Sequence, residues 1–267
     1  MPTSIGWTNE VWNPTTGCTK VSAGCKNCYA ERIAQRFWRN ENYRPFTEVR
    51  LHPERLDIPL HWRKPRMIFV DSMSDLFHEE VPDEFVDKVF GTMFSATWHT
   101  FQILTKRADR MQRYFTERWN QPPDLLLPQV DKTHPNVWLG ASCEDQKAAD
   151  ERLPLLLQTP AAVRFVSAEP LLGMISFQGW DGTLQRNYLD PDFAGSRSKR
   201  GPLDWLICGG ESGPNHRPMQ LEWLESIVEQ CQSAGVPVYV KQDSGLYPGQ
   251  QGRIPDRLWI HEFPEAK

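Results

Sequence analysis

The chain has 267 residues, 39% of them hydrophobic, which is enough for one large α/β barrel or two smaller domains around a substantial core. A formal charge of -4 and a pI near 6.0 exclude a general electrostatic attraction to nucleic acid while leaving room for a local basic groove. There is no amino-terminal hydrophobic signal and no long apolar span, so a cytoplasmic protein with reduced thiols and no membrane partner is expected.

Ile5 to Trp12 reads as an opening strand, and Asn13-Pro14 and Gly17 turn it into a loop that carries Cys18, Cys25 and Cys28. Three of six cysteines within eleven residues point to metal binding or redox chemistry rather than to a disulfide framework. A structural zinc site wants four closed ligands, whereas a [4Fe-4S] cubane held by three thiolates keeps one iron open for a substrate or cofactor. After the loop, Ala30, Ile33, Ala34 and Phe37 fall on one face of a helix. Cys143, Cys208 and Cys231 have no thiol neighbour in sequence and read as small packed apolar residues.

Residues 38–64 form an excursion with Phe46, Leu51, Leu56 and Ile58 as anchors. Arg39, Arg44, Arg50 and Arg55 within it can contact a polyanion or pair with the neighbouring acids. From there the order strand, polar turn, helix recurs. Met67 to Val70 leads to Asp71-Ser72-Met73-Ser74-Asp75 and a helix after Pro82; Phe101 to Leu104 leads to Thr105-Lys106-Arg107 and a helix over Met111 to Trp119. Asn136 to Ala141 leads to Ser142-Cys143-Glu144-Asp145 and a helix through Leu153 to Leu157; Arg164 to Val166 ends at Ser167-Ala168-Glu169-Pro170. Trp205 to Cys208 ends at Gly209-Gly210-Glu211-Ser212-Gly213, and Val236 to Val240 ends at Lys241-Gln242-Asp243.

With the opening strand these make about seven candidates for a parallel sheet covered by helices. The fold class expected is α/β, a partial or modified TIM-type barrel of mainly parallel strands, in one domain over 1–267; a doubly wound open sheet is the alternative. Two insertions interrupt it, 38–64 and 173–202, and the second suits a small hairpin, a lid or a mobile segment. A closing tail, Gly245 to Pro264, is expected to be tethered to the core by Leu246, Tyr247, Leu258, Trp259, Ile260 and Phe263.

The Trp7-Thr8-Asn9-Glu10-Val11-Trp12-Asn13-Pro14 start, the C-x6-C-x2-C-Tyr run and the later Gly-Gly-Glu resemble the radical S-adenosylmethionine superfamily, and more specifically a phage- and bacteria-associated family with a three-cysteine motif. The first cysteine gap is wider than the three residues found in most members. The resemblance implies that Cys18, Cys25 and Cys28 hold a [4Fe-4S] cluster whose open iron binds S-adenosyl-L-methionine. An external one-electron donor would then drive reductive cleavage, and a 5'-deoxyadenosyl radical would modify a substrate. DNA, RNA or a nucleotide are among the substrates it permits, beside a small metabolite.

On this reading Tyr29 meets adenine, and Ser72 and Ser74 take the methionyl end, unless they only cap or support a turn. Gly209 and Gly210 allow close backbone approach beside Glu211, which orients an amine or hydroxyl. Lys106 and Lys241 bind a carboxylate or phosphate, or close a surface salt bridge. Ser142, Glu144 and Glu169 contact sulfonium, ribose or substrate, or act as internal braces. Glu211, Lys106 and Lys241 are the residues expected to act in catalysis. The alternative from a different class is a zinc-stabilised module without catalysis that binds nucleic acid through Arg197, Lys199 and Arg200.

Overall fold

The structure, a computed structural model, describes residues 3, 5–38, 44–118, 134–180, 185–190 and 203–265. Its strands are β1 (Glu10–Trp12), β2 (Thr15–Thr16), β3 (Arg50–Leu51), β4 (Met67–Val70), β5 (Thr100–Thr105), β6 (Val137–Ser142), β7 (Val163–Ala168), β8 (Gln178–Trp180), β9 (Gln185–Asn187), β10 (Trp205–Gly209) and β11 (Val238–Gln242). The helices are α1 (Tyr29–Phe37), α2 (Asp83–Ser95), α3 (Ala108–Arg113), α4 (Gln146–Gln158) and α5 (Leu221–Ala234). Seven strands form one sheet in the order β1-β4-β5-β6-β7-β10-β11, and the pairs β1/β4, β4/β5, β7/β10 and β10/β11 are parallel. This is a partial TIM-type barrel, open rather than closed, with a C-terminal closing segment. The strand runs are apolar because the strands are buried: every residue of β10 is buried.

Two compact units divide the chain, Met1–Leu139 with Gln158–Ala162, and Gly140–Leu157 with Val163–Lys267. In the first, Trp12, Ile68, Phe77, Phe90, Phe101 and Met111 are fully buried. Residues of the 38–64 insertion dock onto it: Thr15 and Thr16 pair with Leu51 and Arg50, and Trp12 Nε1 donates to Arg55 O at 2.8 Å. Three of its arginines have partners within the chain. Arg44 stacks over Trp38 and donates to Thr16 Oγ1, Arg50 pairs with Glu48, and Arg55 donates to Asn13 O. Arg39 lies outside the described residues. The opening strand is shorter than expected because Ile5 to Thr8 closes a turn, Thr8 N donating to Ile5 O. α1 differs too: Ala30 and Ala34 are its buried residues, while Ile33 and Phe37 are exposed. Likewise α3 stops at Arg113 and passes into a wider π turn, Tyr114–Arg118.

In the second unit α5 buries Leu224, Ile227, Val228 and Cys231 at helical spacing and ends at Gly235, whose left-handed φ of 67° closes the helix. The 173–202 insertion holds a hairpin, β8 with β9, in its described part. Residues 260–262 of the tail lie antiparallel along β11, Val240 N donating to Ile260 O at 2.8 Å and Glu262 N to Val238 O at 3.0 Å. They cover the backbone groups of an edge strand. Leu258 is buried and Phe263 packs on Trp205, as tethers should, but Leu246 and Tyr247 are exposed. The expected tether at those two positions is corrected: their loop is held by its backbone and by Gln242. Among the described residues no helix is long and apolar enough to cross a membrane.

Candidate binding site

In the first unit the strand ends are knitted together by polar groups that satisfy one another. Asp71 has a left-handed φ of 60° and turns its carboxylate toward Thr15, whose N and Oγ1 both donate to it at 3.0 Å. Ser74 Oγ bonds Thr15 Oγ1 and donates to Thr15 O; Ser72 Oγ donates to Asn13 Oδ1, and Tyr29 OH donates to Ser72 O at 2.6 Å. Tyr29 is thereby fixed by the turn that was expected to share a cofactor with it. Asp75 accepts from Phe77 N, Thr105 Oγ1, Lys106 N and Arg107 Nη1. Arg107, buried, also donates to Glu79 and to Thr19. Sequence reasoning missed Arg107. Its position straight after a predicted strand was the available signal.

The three thiols are not gathered into a cluster socket. Cys18 Sγ is 3.4 Å from Thr19 O and 3.6 Å from Arg107 Nη1, while Cys25 Sγ is 4.0 Å from Ser22 Oγ. Burial first, then the Asp75 carboxylate, pushes the Cys18 thiol up to about 12. Among the described residues, no group of three or more His, Cys, Asp and Glu side chains could hold a metal ion. The expected [4Fe-4S] cluster, the S-adenosyl-L-methionine held on it and the radical S-adenosylmethionine enzyme they define are therefore corrected. The zinc-stabilised module fails by the same geometry, and its Arg197, Lys199 and Arg200 lie outside the described residues.

The second unit gathers the remaining candidates at the carboxyl ends of β6, β7, β10 and β11. Most are committed to neighbours. Arg152 Nη1 donates to Glu144 Oε2 at 2.9 Å and to Ser142 O at 2.6 Å, all three groups being buried. Glu211 receives Arg217 N, Nε and Nη2, which fastens the loop after β10. Arg253 donates to both oxygens of Asp243, and Gln242 Nε2 donates to Gly210 O at 2.7 Å.

Lys241 and Glu169 differ. Lys241 lies within β11 and Glu169 directly follows β7, on either side of β10. Lys241 Nζ stands 3.0 Å from Glu169 Oε1, within ion-pairing distance, yet that shielded oxygen accepts no aligned hydrogen bond. Glu169 Oε2 accepts from Ser167 Oγ at 3.2 Å. Gly209 lies between them at the end of β10: a Cβ there would come within 3.3 Å of Glu169 Oε1 and 3.0 Å of Gln242 O. A side chain at position 209 would therefore press on the Glu169 carboxylate and on the β11 backbone at once.

A family model described as "Protein of unknown function (DUF5131)" matches residues 2–256. No curated protein and no solved structure matches the chain. The match replaces the resemblance to the radical S-adenosylmethionine superfamily and its phage-associated three-cysteine family, which neither this description nor the arrangement of the thiols supports.

Proposed function

The chain belongs to the DUF5131 family, proteins of unknown function, and we propose for it the binding of a small polar ligand at the carboxyl ends of β7, β10 and β11. Lys241 takes an anionic oxygen of that ligand, carboxylate or phosphate, and Glu169 takes a hydroxyl or amino donor. The observation that carries this reading is the misaligned pair itself. Glu169 Oε1 is ion-paired with Lys241 Nζ at 3.0 Å but takes no aligned hydrogen bond, so it keeps acceptor capacity that a ligand donor can use. The neighbouring charges offer no such opening, since Glu144, Glu211 and Asp243 each hold an arginine. Strand ends of parallel α/β sheets are also where ligands gather. The cytoplasmic setting belongs to this reading as well, supported by the buried Cys143, Cys208 and Cys231, none of which forms a disulfide.

Calorimetric titration with ribose 5-phosphate, which offers both an anion and hydroxyls, tests the proposal. Lys241→Met is expected to weaken binding about ten- to hundredfold, the equivalent of one charge-assisted hydrogen bond. Glu169→Gln, which keeps size and some hydrogen-bonding capacity, weakens it less. Equal affinity in wild type and Lys241→Met, or no binding of phosphate or carboxylate compounds, sinks the reading.

A further inference from the structure

Helix α1 leaves a row of apolar side chains uncovered. Tyr29, Ile33 and Phe37 are 42%, 41% and 70% exposed, while Ala30 and Ala34 of the same helix are buried. Residues four apart lie about 40° apart around a helix, so the three make one stripe about 12 Å long. The buried alanines border it on one side. Arg32 and Arg36 border it on the other, and the Arg36 guanidinium sits 5.6 Å from the centre of the Phe37 ring. Glu31 and Gln35 take the remaining sector, Glu31 paired with Lys20 at 2.8 Å. Apolar side chains scattered singly over a surface need no explanation, but three in line along one helix beside a row of cations do.

Charge says what can cover the stripe. Residues 18–38 carry Lys20, Lys26, Arg32 and Arg36 against one acid, Glu31, in a chain whose formal charge is -4. Cations are thus concentrated where the apolar row is exposed, and the surface that fits is anionic with an apolar layer beneath its charges. A second copy of the chain does not fit, because antiparallel pairing through the stripe sets the arginines of one copy beside those of the other. Single-stranded nucleic acid needs flat faces to stack on. Here the middle of the stripe is Ile33, which has none, and Arg36 already lies over the Phe37 ring.

We propose that α1 docks the protein on an anionic lipid surface. Tyr29, Ile33 and Phe37 enter the boundary between headgroups and acyl chains, and Arg32 and Arg36 meet lipid phosphates at its edge. Lys20 and Lys26, in the loop that leads into α1, add to the attraction. A helix of nine residues with three apolar side chains makes a weak, reversible contact, so binding requires the apolar row and the charges together. The absence of a membrane-spanning helix among the described residues bears on crossing a bilayer, not on lying against one. The contact is separate from the Lys241–Glu169 pair, which belongs to the other unit.

Flotation of the full chain with two kinds of vesicle tests this, one of phosphatidylcholine alone and one of phosphatidylcholine and phosphatidylglycerol in equal parts. Wild type is expected to float with the mixed vesicles at low salt, and to stay behind with phosphatidylcholine alone or when salt is raised. Phe37→Ser weakens binding about tenfold, the scale of one aromatic side chain returned to water. Arg36→Gln weakens it about fivefold, the scale of one cation near an anionic surface. Both positions are exposed, so the fold survives substitution, which circular dichroism checks. Met174→Ser, at an exposed apolar position of the other unit, floats as wild type does. No flotation of wild type with the mixed vesicles at low salt overturns the proposal, as does flotation that Phe37→Ser and Arg36→Gln leave unchanged. A dimer in sedimentation that Phe37→Ser dissolves would assign the stripe to a second copy instead, and binding of a single-stranded oligonucleotide in place of vesicles would assign it to nucleic acid.

Discussion

Asp71 shows how one residue can set a pH dependence for the first unit. Burial pushes its carboxyl from 3.8 to about 7, against the opposing hydrogen bonds from Thr15 and Ser74. The native chain thus binds a proton that the unfolded chain has released, so stability falls as pH rises from about 4 to about 7 and levels off above that. Asp71→Asn is expected to remove this slope, since asparagine tolerates the left-handed backbone and carries no titrating proton. Urea midpoints at pH 5 and pH 8 check it, and an undiminished difference in the variant would assign the slope to another group. The buried Glu144–Arg152 pair behaves differently. Removing one partner strands a charge, so Arg152→Met should cost about 3 to 5 kcal/mol in chemical denaturation. A loss below about 1 kcal/mol would mean that water or another group replaces the arginine.

Among the elements, the tail against β11 does most to protect the sheet. Glu262→Pro deletes the donor to Val238 O and the carboxylate that Val238 N uses at 3.1 Å. The change should lower the melting temperature and, by baring the β11 edge, promote association visible in light scattering. A monomer of unchanged melting temperature would show that this strand needs no cover. The tail also marks a limit of sequence reading. Leu258 and Phe263 reach apolar partners, but nothing in Leu246-Tyr247 itself distinguishes an anchor from an exposed tip, because the decisive hydrogen bonds come from Gln242, Gln250 and Gly213. In α1 the helical period was readable, yet which sector faced inward depended on the close approach that Ala30 and Ala34 allow.

At the scale of the whole molecule, the repeated order of apolar strand, polar turn and helix makes the parallel sheet legible, because burial on both faces leaves strands no choice but apolar runs. Proximity is a different matter. Cys18, Cys25 and Cys28 look like a ligand set because they are close in sequence, whereas Lys241 and Glu169 meet only because β7 and β11 flank β10. A site assembled across strands acts on the stability of the fold that assembles it. Ligand at about 100 times its Kd should stabilise the native protein by about 2.7 kcal/mol, raising Tm by about 5 °C in a chain of this size. Lys241→Gln should lose most of that rise while its unliganded Tm stays within a few degrees of wild type, because Lys241 is partly exposed and Ser167 still holds Glu169. Thermal scans with and without ribose 5-phosphate measure both quantities. A ligand-induced shift of equal size in both proteins would place the binding site away from β7 and β11.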